Sequence, residues 1–156
     1  MSEPLRLDGN DRAVLFLLQE NARSSPSESA ALTGLAVWDV ARRIGRFEAA
    51  GLLTGTTVLI DAAKAGFPIE ALFRLRLADD KRPTADTFAD AVRLASGVLD
   101  CWQIDPPGSY LLRVLARDEA DLDRMRMDVI ERLPAVIAVA VTPVVQHVKA
   151  SGKLEF

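Results

Sequence analysis

The chain has 156 residues, 49% of them hydrophobic, and a formal net charge of -3. This suits one medium domain or two small ones with a real core, and it excludes wholesale disorder. No apolar run approaches the roughly 20 residues of a membrane span, and a lone His147 with a lone Cys101 excludes a His/Cys metal site.

The first sixty residues hold six arginines against seven carboxylates. Any affinity for nucleic acid must therefore come from local placement rather than bulk charge. The opening MSEPLRLDGND has no signal-peptide pattern, and a single cysteine suits a reducing cytoplasm. One histidine also leaves little for Ser-His or Cys-His catalysis, so His147 reads as a surface or strand residue.

In chain order, Asp8 is placed to cap a first helix. Asp11 lies in its first turn, where negative charge suits the helix dipole. Ala13, Val14, Leu15, Leu17 and Leu18 supply its apolar stripe. Ser25-Pro26 opens a short second helix, with Glu28 in the first turn and Gly34 as the stop. In the next stretch, GLAVWDVARRIGRFEAAGLLTG, Val37, Val40, Ile44, Phe47 and Gly51 follow helical spacing. Trp38, Asp39, Arg42, Arg43 and Arg46 fall on the opposite face. Three arginines on one helix face suit the major groove of DNA, where arginine meets guanine edges and phosphates. The same charges also suit the solvated face of a surface helix. Helix, short helix, glycine turn and basic amphipathic helix is the order of a helix-turn-helix. The β-branched residues around Gly55, from Leu52 to Asp61, predict a small hairpin as its wing.

Residues 61–68 read as a linker, and the character then changes. Phe73, Leu75 and Leu77 alternate with Arg74 and Arg76, which predicts a half-buried strand. A helix is predicted over Thr84–Ala95, with Phe88, Ala91, Val92 and Ala95 inward. A second strand is predicted over Val98–Ile104, a turn at Asp105-Pro106-Pro107-Gly108, and a third strand over Tyr110–Ala116. Asp118 caps a helix carrying Leu122, Met125, Val129 and Leu133 on one face, and Pro134 stops it. Val136–Val141 is the fourth strand, and Val144–Val148 continues it or adds another. The fold class is thus α+β. A winged helix-turn-helix over residues 1–60 and a linker over 61–68 precede a ferredoxin-like βαββαβ sheet over 69–156. Helices cover one face of such a sheet, leaving the other to pair with a second sheet; Trp102, Leu112 and Val139 are candidates for such surfaces.

These stretches resemble the Lrp/AsnC family of bacterial and archaeal transcription regulators. LDGNDRAVLFLLQENAR resembles the family's LDxxDxxIL…L…nAR. GLAVWDVARRIGRFEAAGLLTG resembles GLSxxxVxxRIxxLExxGxIxG, and YLLRVLARDEADLDRM…LPAVIAVAVTPVVQHVK resembles DYLLxVxxxDxxxL…LPGVxxxxTxxVxxxxK. The resemblance implies a DNA-binding regulator with a dimerising C-terminal domain, often assembled to tetramers or octamers, and a small effector, commonly an amino acid, bound in that assembly. Its partners would be double-stranded DNA, itself and an effector, with no cofactor, metal or membrane. Arg43 matches the family arginine; Trp38, Arg42 and Arg46 are further DNA-contact candidates. Trp38 either meets a sugar or thymine methyl, or packs on the wing or a neighbouring subunit. Asp39 either pairs with Arg42 or Arg43, or accepts from a cytosine amine.

The chain also departs from the pattern. Ala36 stands where the family has its capping serine, Gly45 sits inside the helix, and Ser29 occupies a usual leucine position. The effector loop is G-x-x-D-Y in the family and Pro106-Pro107-Gly108-Ser109-Tyr110 here. Proline has no N–H for a ligand carboxylate, and the carboxylate partner for an ammonium is gone. An altered or absent amino-acid pocket at Pro106, Gly108, Ser109 and Tyr110 is the resulting expectation. Two alternatives accompany it. One is an enzyme resembling the siroheme decarboxylases, disfavoured by the lone His147; the other is a partner that co-assembles with another family member.

Overall fold

The computed structural model describes residues 5–149 and residue 154. These residues divide into two compact units. One is Leu59–Val148; the other is the chain before it, joined by Lys149 and Leu154.

The first unit is helical. Helix α1 (Gly9–Glu20) begins at a reciprocal cap: Asp11 N–H donates to Asp8 Oδ1 at 2.7 Å, and Asp8 N–H donates to Asp11 Oδ2 at 3.0 Å. Helix α2 (Pro26–Thr33) repeats the device with Ser25 and Glu28, and it ends on Gly34 at φ +72°. Helix α3 (Val37–Ala49) starts at Ala36 with no side-chain cap. It closes through Gly51 at φ +68°, where the Leu52 and Gly51 N–H groups donate to the Phe47 and Glu48 carbonyls. Val14, Leu15, Ala30, Val40 and Phe47 form the buried core.

Ser29 is fully buried in α2, and its hydroxyl has no hydrogen-bond partner. The expected wing hairpin is absent. Residues 52–60 carry no strand pairing, and Val58, Leu59 and Ile60 stand exposed. The β-branched run supplies strand propensity, but no partner strand from this segment satisfies its backbone.

The second unit is a four-stranded antiparallel sheet in the order β2-β3-β1-β4. Its strands are β1 (Ile69–Leu77), β2 (Val98–Ile104), β3 (Ser109–Ala116) and β4 (Val136–Pro143). Helix α4 (Arg82–Leu94) follows β1, and α5 (Glu119–Arg124) follows β3. This is the βαββαβ order read from the sequence. Ala71, Phe73, Leu75 and Leu77 of β1 face inward with Tyr110, Leu112 and Val114 of β3, against Phe88, Val92, Ile130 and Leu133.

Three details differ from the sequence reading. Leu112 is fully buried and Val139 packs against the same core, so neither belongs to the open face; Trp102, paired with Leu111, does. The helix after Asp118 does not run straight to Leu133. Beyond Arg124 it widens into a π-helical stretch, Met125–Ile130, and this turns Ile130 fully into the core. Residues 144–148 form no strand, though Val144 N–H donates to the Glu70 carbonyl. Residues 61–68 are largely wound into turns, with Asp61 Oδ1 accepting from Lys64 N–H.

Ala135 holds φ +62°, a left-handed value, while its carbonyl accepts from Ala78 N–H at 2.8 Å. That conformation costs an alanine about 1–2 kcal/mol. Ala135→Gly is expected to raise stability by up to about 1 kcal/mol, after the greater freedom of the unfolded glycine is subtracted. Ser29→Ala removes the orphan hydroxyl from a helix, and the expected gain is about 1 kcal/mol. Urea unfolding at unchanged slope measures both.

Candidate nucleic-acid interface

The arginines of α3 divide by burial. The Arg43 side chain is only 11% exposed and lies among three carboxylates. Its Nη1 is 2.9 Å from both Asp8 oxygens and 2.5 Å from Asp11 Oδ1, and its Nε is 3.1 Å from Asp39 Oδ2. Asp11, 1% exposed, also accepts from Arg46 Nη2 at 2.5 Å. Arg42 pairs with Asp39 at the surface. Asp39 therefore pairs with both Arg42 and Arg43, and three aspartates balance the three arginines.

This corrects the expectation of one arginine face turned outward. Arg43 is the pin between α3 and the start of α1, and Arg46 is half committed to the same pin. Helical spacing shows which residues share a side of α3. It does not show that α1 brings Asp8 and Asp11 against that side. The sequence signal for this was present, an acid pair three residues apart, but it was read only as a cap.

Trp38 and Arg42 remain outside the pin. Trp38 is 70% exposed and the Arg42 side chain 66%, with the Arg42 guanidinium 5.8 Å from the centre of the indole ring. They sit four positions apart, on one stripe of the helix, and each makes a contact in the cation–π range. Ala36 leaves the helix start without a side-chain acceptor, so its free N–H groups add a weak attraction for anions.

The loop expected to bear an effector is built inward. Pro106 is exposed, but Gly108, Ser109 and Tyr110 are buried. Gly108 holds φ +79°, and its carbonyl accepts from Leu77 N–H at 2.9 Å. The Tyr110 ring lies 4.5 Å from that of Phe88, and burial pushes its phenol above the ordinary value. His147 is exposed, with Nε2 3.0 Å from Glu70 Oε2. Among the described residues no cluster of His, Cys, Asp or Glu is arranged to hold a metal, and no helix is long and apolar enough to cross a membrane.

With this geometry in hand, comparison with known proteins is specific. The family model described as the Lrp/AsnC ligand binding domain matches residues 70–154, and a winged helix-turn-helix DNA-binding model matches residues 7–54. The chain belongs to the Lrp/AsnC family. It is a transcriptional regulator of that type. A proline dehydrogenase transcriptional activator of Rhodobacter capsulatus is 32% identical over 132 residues, 85% of this chain and 86% of that protein. The transcriptional regulator AldR of Mycolicibacterium smegmatis is 29% identical over 151 residues, 95% of this chain and 86% of its own. In fold, the chain matches a Neisseria meningitidis regulator solved with L-methionine at a TM-score of 0.88 and 23% identity, covering 96% of this chain and 97% of that one. Escherichia coli AsnC matches at 0.81 and 20%, covering 96% and 99%.

Arg43 bonds to Asp8 first and Asp39 next, which raises its guanidinium above the ordinary range. Arg43 in turn holds the Asp8 carboxyl below its ordinary 3.8; Arg42, then Arg43, does the same for Asp39. A carboxylate depressed on folding contributes stability in full above its unfolded value, and loses it as pH falls through the folded one. The helical unit is therefore expected to weaken as pH drops below about 4, and Arg43→Ala to flatten that dependence in an acid titration followed by circular dichroism. At neutral pH Arg43→Ala is expected to cost about 3 kcal/mol, because it leaves Asp11 buried with a broken pair. Arg42→Ala is expected to change stability by less than about 0.5 kcal/mol.

Proposed function

We propose that α3 is the DNA-reading helix, and that Trp38, Arg42 and the outer part of Arg46 make the contacts while Arg43 holds the helix in position. The observation that carries this is the division of the arginines. Arg43 is consumed by the fold, whereas Trp38 and Arg42 are exposed side by side. Arginine there suits a guanine edge or a phosphate, and the indole suits a sugar or a thymine methyl. Two copies, paired through the open sheet face that carries Trp102, Leu72 and Leu111, would set two such helices about one DNA turn apart and select a pseudo-palindromic site. The protein would act in the cytoplasm and without a catalytic step.

The effector side of the reading is a changed pocket. A ligand-binding domain and a structural neighbour that holds L-methionine point to amino acids as the ligand class. Against that, Pro106 and Pro107 offer no N–H, and Ser109 is buried where a carboxylate partner is wanted.

DNA binding should weaken steeply with salt, and Arg42→Ala should lower the slope of log affinity against log salt by about one. Titration of upstream DNA with competitor at several salt concentrations measures this, and a flat response would overturn the reading. Arg43→Ala is the wrong probe, since it unpins the helix. Calorimetry with methionine and the other common amino acids is expected to show no micromolar binding; heat from any of them at that level would restore an ordinary pocket.

A further inference from the structure

The open face of the sheet is laid out in rows across its strands. The register sets Trp102, Leu111, Arg74 and Ala140 in one row, and Ile104, Ser109, Arg76 and Ala138 in the next. The row on the other side holds Asp100, Arg113, Leu72 and Thr142. There Arg113 lies between two carboxylates, with Nε 3.0 Å from Glu70 Oε1 and Nη1 3.1 Å from Asp100 Oδ2. Both acids of this face are thereby committed, and Glu70 also meets His147. Arg74 and Arg76 stand differently. Both are exposed, and neither forms an ion pair among the described residues. Elsewhere in the sheet unit Arg82, Arg93, Arg124, Arg126 and Arg132 each lie within 3.7 Å of a carboxylate, and Arg117 covers the Phe67 ring. Strand β4, beside the two free arginines, has no charged residue. Alternate residues of a strand lie about 7 Å apart on one face, a span that one oxyanion bridges between two guanidinium groups.

We propose that Arg74 and Arg76 form a site for a doubly charged oxyanion of the phosphate class, and that the anion allows two copies to close on this face. The second part rests on the sheet pairing proposed above. Packed sheets lie about 10 Å apart, and their facing side chains exclude water. Two copies would bring four unpaired guanidinium groups into that space, and a charge desolvated without a partner is costly. The partner's face offers no relief, because its two acids are held by its own Arg113. A dianion at each arginine pair cancels the charge and supplies acceptors in the planar geometry that guanidinium prefers. It therefore binds the paired form better than the single chain, and so favours pairing by mass action. Such a ligand carries no ammonium group, so it has no need of the carboxylate missing at Ser109.

The test uses the full chain. Sedimentation equilibrium gives the dimer constant in chloride and in inorganic phosphate at one ionic strength, and calorimetry gives the heat of phosphate binding. Phosphate is expected to tighten the dimer several-fold. Arg74→Gln and Arg76→Gln, both outside the core, are each expected to abolish that response. Arg82→Gln, which removes an equal charge from the surface of α4, is expected to keep it. In chloride the Arg74→Gln/Arg76→Gln double variant is expected to pair more tightly than the unaltered chain, because the repulsion is gone; weaker pairing would overturn the coupling. A phosphate response that survives in the double variant would overturn the site, since phosphate would then act only as a salt. Absence of heat from the unaltered protein would overturn the site as well. Succinate acting as strongly as phosphate would overturn the phosphate class in favour of dicarboxylates. Heat that needs both arginines but leaves the dimer constant unchanged would overturn the coupling alone. Trp102→Asp then locates the fault: a dimer that it does not weaken is joined elsewhere than through this face.

Discussion

The ion pair between Asp11 and Arg43 sets the terms for the helical unit. Both groups are nearly out of water, which is costly unless every lone pair and proton is met. Here both are paired more than once: Asp11 accepts from Arg43 and Arg46, and Arg43 reaches Asp8 and Asp39 as well. The arrangement matters because α3 is a weak helix by itself. It has no side-chain cap, and Gly45 in its middle costs about 1 kcal/mol against alanine. A helix with those two deficits depends on tertiary contacts for its place. Phe47 and Val40 supply the apolar half of those contacts, and the Arg43 pin supplies the direction.

The sheet unit is held together by a different logic. Its order comes from alternation along β1 and β3, whose inward residues meet α4 and the stretch after α5. Close fit appears where the chain turns. At Gly97, φ +85°, an added Cβ would lie 2.9 Å from the Met125 methyl, so the thioether occupies the space a side chain would take. Met125 opens the π-helical stretch, so the local widening of the helix coincides with a contact to the start of β2. A widened turn seats Met125 over Gly97 and Ile130 in the core, while Val129 packs against that core as the helical spacing predicts.

Local signals were legible, and partnerships across the chain were not. Asp8, Ser25, Gly34, Asp118 and the alternation of Phe73, Leu75 and Leu77 are statements about neighbours within a few residues, and each marked its element. The uncapped start of α3 was legible for the same reason, from Ala36 alone. The π-helical stretch escaped because a 3.6-residue period was imposed on Leu122 to Leu133. The wing escaped because strand propensity near Gly55 says nothing about whether a partner strand is supplied. At the candidate interface the types and positions of the residues were visible, but their division of labour was not. Arg42 and Arg43 are adjacent letters, and only the position of α1 makes one a surface group and the other a buried pin.

That adjacency separates two kinds of position on one helix. Positions 39, 43 and 47 form one stripe of α3; Arg43 binds it to α1 by charge, Asp39 braces Arg43, and the Phe47 ring packs in the core. Positions 38 and 42 form the next stripe, four residues apart in the same way, and they carry no burden of the core. Substitutions at 38 and 42 therefore touch little of the fold, while those at 39, 43 and 47 strike its ion pairs and its core. The outer stripe of the helix can thus be altered without drawing on the margin of stability that its neighbour supplies.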